Sequence, residues 1–299
     1  MPVFFKSWGL DGSLKVTDFS SLQSNGIVGS PSTMHGFGET GGVYCERVVK
    51  DGYQCVKMTV TPSDLITANG HRTELIPATA TASGVTDFVG IADWTGQENT
   101  ERWYRFSFML PEFDTSWLNS SFSTWLVITQ LHQDPDDTPA DVVASPPIAF
   151  EIKDNKIVVT NFTCTDTVTT NANRVYRELY STPLQFNKWY DFVINVKWSW
   201  TNRGKVRIWS DRKQVYHDIA AVNCTNNDPS RGSNGNYAKI GIYTHYPMSD
   251  YYNKDLVIYH RGMIVGNETC SFADMFPESS STVYPINPTI HSTTISQVV

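Results

Sequence analysis

Apolar and polar positions alternate through most of this chain. In RWYRFSFML, Tyr104, Phe106, Phe108 and Leu110 fall on one face and Arg105 and Ser107 on the other, which is the period of two that a strand produces. GGVYCERVVKDGYQCVKMTV reads as two strands joined at Asp51-Gly52, a pair suited to a tight hairpin turn. TWLVITQLH, PIAFEI, KIVVTNF, KWYDFVINVKWSW, KVRIWS, KQVYHDI, YAKIGIYTHY and DLVIYHRGMIVG follow, separated by clusters of Gly, Pro, Asn and Asp. No capped apolar stripe of period 3.6 runs for more than about three turns, and only PEFDTSW and SFADMF predict short helical turns. Strands without intervening helices predict an all-β fold, an antiparallel sandwich or barrel. One domain is expected over residues 1–276. Its first 40 residues, rich in Gly and Ser, read as an irregular lead-in with an edge strand. Residues 277–299 lose the apolar periodicity and read as a C-terminal tail that orders against a partner surface.

Composition narrows the function. The chain has 299 residues, 40% of them hydrophobic and 18% charged, as in a folded globular protein. The 23 basic and 30 acidic residues give a net charge of -7, which argues against a nucleic-acid partner. An anionic polymer held in a locally basic groove remains compatible with it. No apolar run approaches the ~20 residues of a membrane helix, so no membrane partner is expected. The opening MPVFFKSWGL is too short an apolar stretch for a signal peptide. Aromatic residues reach 13%, with nine Trp and fourteen Tyr. They suit a β-rich core, and equally a carbohydrate surface on which flat rings stack against sugars. The five cysteines lack C-x-x-C spacing, which argues against a zinc site. Their odd number leaves at least one thiol unpaired within the chain, and Cys45 with Cys55, on two arms of one hairpin, is a candidate disulfide. Sequons begin at Asn119, Asn161, Asn223 and Asn267.

Three strands carry polar residues where simple structure would not need them. In Gly70-His71-Arg72-Thr73-Glu74-Leu75, Arg72 and Glu74 share one face and His71, Thr73 and Leu75 the other. In Thr129-Gln130-Leu131-His132-Gln133, Gln130 and His132 point the same way. In the strand from Tyr237 to Tyr246, Ile240 and Ile242 face the core, while Tyr237, Lys239, Gly241, Tyr243 and His245 line the opposite face. Gly241 removes a side chain where a polymer would lie close to the sheet. Taken singly, each strand also fits a bland role: a surface ion pair, a satisfied buried histidine, a solvated edge.

The order R-T-E-L, Q-L-H, Y-x-K-x-G-x-Y resembles the polysaccharide lyases of the alginate-lyase and heparin-lyase-I-like group, glucuronan lyases among them. Those enzymes carry R-[ST]-E, Q-x-H and Y-x-K-x-G-x-Y on neighbouring strands of one sheet. ERWYRFSFMLPEFD, SPPIAFEI and KWYDFVINVKWSWTNRGKVRIWSDRKQV resemble the flanking segments, with Lys188 where a glycine usually stands. The resemblance covers about residues 40–270. It implies a concanavalin-like β-jelly roll with a concave substrate groove, and β-elimination across a uronic acid that leaves unsaturated uronate ends. The roles it implies are Arg72 and Gln130 for neutralising the carboxylate, His132 as base, and Tyr243 as the acid that protonates the leaving oxygen, serving as base too when both events fall on one face. Lys239, Glu74 and Tyr237 are assigned to substrate binding, with Lys239 lowering the Tyr243 pKa and Glu74 orienting a cation. No cofactor or catalytic metal is required, and a structural calcium ion is compatible with the scheme.

Two other functions compete. A retaining glycoside hydrolase would place paired carboxylates on one strand, usually as E-x-D-x-E, and that motif is absent. A non-catalytic lectin-like module, virion-associated or otherwise, fits the aromatic content but does not require Gln130, His132, Lys239 and Tyr243 together. The expected partner is an anionic polysaccharide. The chain's acidic charge favours a non-sulfated polyuronate or capsular polymer over a heavily sulfated one. The expected setting is extracellular or virion-associated.

Overall fold

The computed structural model describes residues 3–8, 19–24, 27–29, 45–63, 70–77, 98–118, 124–133, 145–225, 235–245, 250 and 252–276. They form two eight-stranded antiparallel sheets packed face to face, with no closed barrel. The first sheet runs β14 (Lys213–Ala221), β13 (Gly204–Ser210), β12 (Trp189–Lys197), β7 (Glu101–Met109), β16 (Leu256–Gly266), β5 (Tyr53–Val60) and β4 (Cys45–Lys50), with β1 (Val3–Trp8) also paired to β16. The second runs β11 (Val175–Pro183), β10 (Lys156–Thr163), β9 (Ile148–Lys153), β8 (Leu126–Gln133), β15 (Asn236–His245), β6 (Gly70–Pro77), β2 (Phe19–Ser24) and β3 (Ile27–Gly29). This is the sandwich that the alternating pattern predicts.

The core follows from that alternation. Phe106 and Phe192 of the first sheet meet Phe150 of the second, each edge-on at 4.8 Å between ring centroids. Ile240, Ile242 and Leu131 bury the back of the second sheet in the same core. Polar ties also cross the gap between the sheets. Thr73 donates its hydroxyl to the Thr59 carbonyl at 2.7 Å. The buried His260 ring bonds the Gly241 carbonyl through Nε2 at 3.3 Å.

Asp51-Gly52, Asp154-Asn155 and Asp211-Arg212 close hairpins with both residues at positive φ, the geometry that matches strand twist. SFADMF forms the expected short turn, a 3-10 helix over Ala273–Met275. Arg105 anchors it by donating to the Met275 carbonyl at 2.7 Å while pairing with both oxygens of Asp191.

Some expectations need correction. Within the lead-in, where one edge strand is expected, the described residues form three strands: β1 joins the first sheet and β2 and β3 extend the second. β11 has no clear apolar alternation, since as an edge strand it exposes Val175, Tyr176 and Glu178. The Cys45–Cys55 disulfide does not form. The hairpin exists, but Cys45 pairs across from Met58 and Cys55 from Val48, so the two thiols point to opposite faces. All five cysteines are free and buried, and burial pushes the Cys55 thiol up to about 12. Asn161 and Asn223 of the sequons are fully buried, their side chains bonded to backbone. Asn119 and the tail 277–299 lie outside the described residues. No helix among the described residues is long and apolar enough to cross a membrane.

Burial depresses the His260 pKa to about 4, against ~6.5 in an unfolded chain. As pH falls from about 6.5 to about 4, the unfolded state takes up a proton that the folded state refuses, so stability falls across that window and levels off below it. The contribution at pH 7 is about 3 kcal/mol. His260→Gln retains an amide donor toward Gly241 and does not titrate. Urea unfolding at pH 7 and pH 4.5 should show a smaller acid-side loss in this variant than in the wild type. Equal losses would remove His260 from the pH dependence.

Candidate active site

The three polar strand faces read from the sequence meet on one surface. β15 lies between β8 and β6. Its register sets Tyr237 opposite His132 and Lys239 opposite Gln130 on one side, and Gly241 opposite Glu74 and Tyr243 opposite Arg72 on the other. Directly opposed residues share a face. Because Ile240 and Ile242 claim the core side, all seven candidate residues stand on the face turned away from the core. Gln130, Glu74, Lys239 and Arg72 are nonetheless only 1%, 2%, 3% and 5% exposed. They sit low in a recess, not on an open surface.

Glu74 gathers this group. Its carboxylate accepts from Arg72 Nη1 at 3.1 Å and from the Gln130 amide, and lies 3.8 Å from Lys239 Nζ. Among the described residues, two cations around one carboxylate leave one positive charge in the recess. The Arg72 guanidinium also lies 3.6 Å above the Tyr243 ring. His132 tilts against Tyr237, 5.4 Å between ring centroids, and its Nδ1 is 2.6 Å from the Gln133 carbonyl. A carbonyl only accepts, so Nδ1 carries the proton and Nε2 keeps the free lone pair.

Electrostatics follow from burial and these neighbours. The His132 pKa falls to about 3, through burial first and then the charges of Lys239 and Arg72, so the ring is neutral at ordinary pH. Lys239 drops to about 8, through burial first, opposed by Glu74. The Tyr243 phenol is raised, burial outweighing the lowering by Arg72, so it holds its proton at neutral pH.

Two expectations change here. The cation beside Tyr243 is Arg72, not Lys239, and the Tyr243 pKa rises instead of falling. The register of β15 against β8 shifts between Ile240 and Tyr243, while its pairing with β6 runs unbroken and sets Arg72 directly opposite Tyr243. Gly241 also has a different reason to be glycine. At φ 154 a Cβ there would run into the Thr73 carbonyl and the Glu74 Cα, so the close approach it permits is that of the β6 backbone. Sequence reasoning missed Trp125 and Gly70. Trp125 holds the Tyr243 ring edge-on at 4.3 Å, and a side chain at Gly70 would collide with that same ring. Neither carries a signal of its own in the sequence. Among the described residues, no cluster of three or more His, Cys, Asp or Glu is arranged to hold a metal.

Comparison with known proteins identifies the family and the fold. The family model described as "Polysaccharide lyase" matches residues 31–263. An endo-β-1,4-glucuronan lyase from the fungus Trichoderma reesei superposes with a TM-score of 0.62 at 16% identity, covering 92% of this chain and 98% of its own. An alginate lyase of polysaccharide lyase family 7 gives 0.54 at 14%, covering 84% and 95%. Another alginate lyase, from Pseudomonas aeruginosa, gives 0.54 at 12%, covering 85% and 100%. At such identities these likenesses speak for the β-jelly-roll fold. No curated protein matches by sequence. The chain belongs to the polysaccharide lyase family.

Removing the shared carboxylate should be costly, because two buried cations would lose their counter-charge. Glu74→Gln should lower unfolding free energy by about 3–5 kcal/mol, measured by denaturant titration. A loss below about 1 kcal/mol would mean that the cations find compensation elsewhere.

Proposed function

We propose that this polysaccharide lyase cleaves a non-sulfated uronic-acid polymer, such as glucuronan, alginate or a capsular polyuronate, by β-elimination outside the cell or on a virion. The observation that carries the reading is that, among the described residues, Arg72 and Lys239 outnumber the one carboxylate, Glu74, that they share by a single positive charge, beside a neutral imidazole and a protonated phenol. One uronate carboxylate balances that charge. Arg72 and Gln130 are placed to stabilise it as negative charge builds toward the enolate. With the carboxylate neutralised, the C-5 proton becomes acidic enough to remove.

His132 Nε2 takes the C-5 proton. The C–H electrons form the C-4/C-5 double bond, the C-4–oxygen bond breaks, and the Tyr243 hydroxyl gives its proton to the departing oxygen. Proton exchange then returns one proton from the imidazolium to the phenolate. A pKa near 3 makes free His132 a weak base, but a bound carboxylate offsets the Lys239 and Arg72 charges that depress it. The base therefore strengthens when substrate arrives. Tyr243 lies farther along β15 than Tyr237, the neighbour of His132, with roughly 15–20 Å of strand between the two Cα positions at ~3.3 Å per residue. The scheme requires the two side chains to reach one sugar across Lys239 and Gln130. The scheme uses no metal.

Incubation with a panel of polyuronates should produce the ultraviolet absorbance of the unsaturated uronate. His132→Ala should cut turnover by roughly 10²–10⁴-fold with the fold intact. Tyr243→Phe should lose activity yet still bind polymer. Full activity in either folded variant would overturn the assignment of that residue.

The Lys239 pKa near 8 adds a pH test. As pH rises through about 8 the recess loses its net positive charge, so KM for a polyuronate should rise on the alkaline side. Lys239→Arg, charged at every working pH, should move that limb upward. An unmoved limb would assign it to another group.

A further inference from the structure

The row of residues containing His132 does not stop at β8. Leu131 pairs with Ile148 and Ile148 with Asn161, so the next positions, His132, Pro147 and Phe162, lie side by side across the sheet. The Phe162 amide confirms the line by donating to the Pro147 carbonyl at 3.0 Å, and Phe162 pairs in turn with Tyr176 on β11. Two aromatic rings thus stand on the same face as His132, two and three strands away. At ~4.8 Å per strand the outer one is ~14 Å from β8, a span of a few pyranose units.

The pair has the form of a platform. The Phe162 and Tyr176 rings meet edge-to-face at 5.1 Å and 63°. Phe162 is half-buried, while Tyr176 is 44% exposed, one of the most exposed large apolar side chains among the described residues. Arg174 lies 5.6 Å from the Phe162 centroid, anchored to Ser145 and Asn171. Lys153 lies 5.9 Å from the Tyr176 centroid. Glu151 and Glu178 oppose these cations and push the Tyr176 pKa, already raised by burial, to about 12. Two cations against two carboxylates leave no net charge, so this surface offers ring faces and a hydroxyl, not an ion pair. That differs from the recess at Glu74, which holds a net positive charge.

We propose that Phe162 and Tyr176 form a remote sugar-stacking subsite that holds the polyuronate chain a few units from the bond that is cut. This rests on the lyase reading above. The polymer then crosses the strands from β15 toward the β11 edge, with its pyranose faces on the rings. A chain bound in this way continues past the sheet edge, which suits cleavage within long polymers.

The test measures binding and cleavage separately. Affinity electrophoresis in gels containing glucuronan or alginate reads binding of the wild type, Tyr176→Ala and Tyr176→Phe. Tyr176 is exposed enough for both variants to fold, which circular dichroism checks. Tyr176→Ala should bind long polymer about three- to tenfold more weakly, the loss of one aromatic contact. The deficit should persist in high salt, and Tyr176→Phe should restore most of the binding. In cleavage assays, Tyr176→Ala should lose kcat/KM on long oligouronates and keep it on trisaccharides, which are too short to reach the platform. Unchanged binding in Tyr176→Ala, or an equal loss on short and long chains, overturns the subsite, as does a wild type that binds none of the polymers. A wild type that binds polymer without producing unsaturated ends overturns the lyase reading alone, and the Tyr176 binding comparison still decides the subsite.

Discussion

The site depends on one buried carboxylate. Arg72, Lys239 and Gln130 come from three different strands, and Glu74 is the group they all approach. Without it, two cations would face each other in a recess with little water, where like charges repel strongly and desolvation is uncompensated. With it, the cations are fixed in place and partly neutralised, and the surplus charge is held ready for an anion. The same arrangement positions Tyr243, because the Arg72 guanidinium rests on its ring while Trp125 meets that ring edge-on. In the reaction proposed above, binding and proton transfer would share one electrostatic origin.

That arrangement is possible because of how β15 is built. Its Ile240 and Ile242 fill the core, and its other side faces the recess. Gly241 lets the β6 backbone come close, and the pairing with β8 is irregular between Ile240 and Tyr243. Behind this point His260 reaches across from the opposite sheet to the Gly241 carbonyl. The irregular spot is therefore tied to the core as well as to its own sheet, and Tyr243 is held from both sides.

Much of this was legible in the sequence, for specific reasons. The period of two identified the strands and separated Arg72 and Glu74 from His71 and Thr73. The hairpin pair Asp51-Gly52 marked a turn through its tolerance of positive φ. The motifs on β6, β8 and β15 named the candidate residues that the strand order brings together. The partner of each residue was not legible. Gln130 and Glu74 are far apart in the chain, and only the strand order joins them. Alternation alone could not show that an irregular step divides Lys239 from Tyr243, or that the register sends Cys45 and Cys55 to opposite faces. β11 went unseen because one row of its side chains faces solvent and the other is only partly covered, which blurs the pattern that marks the inner strands.

The two buried sequons bear on how the protein can be made. Asn161 donates to the Pro147 and Asn223 carbonyls, and Asn223 in turn donates to the Lys197 and Lys205 carbonyls. Neither amide can keep these bonds and also carry a branched oligosaccharide, and neither position has room for one. A glycosylating secretory pathway adds its sugar while the chain is still open, before β10 is covered. A chain so tagged at either position could not close its sandwich. The choice of host therefore acts on folding itself: a compartment without N-glycosylation leaves both amides free to complete the end of the core.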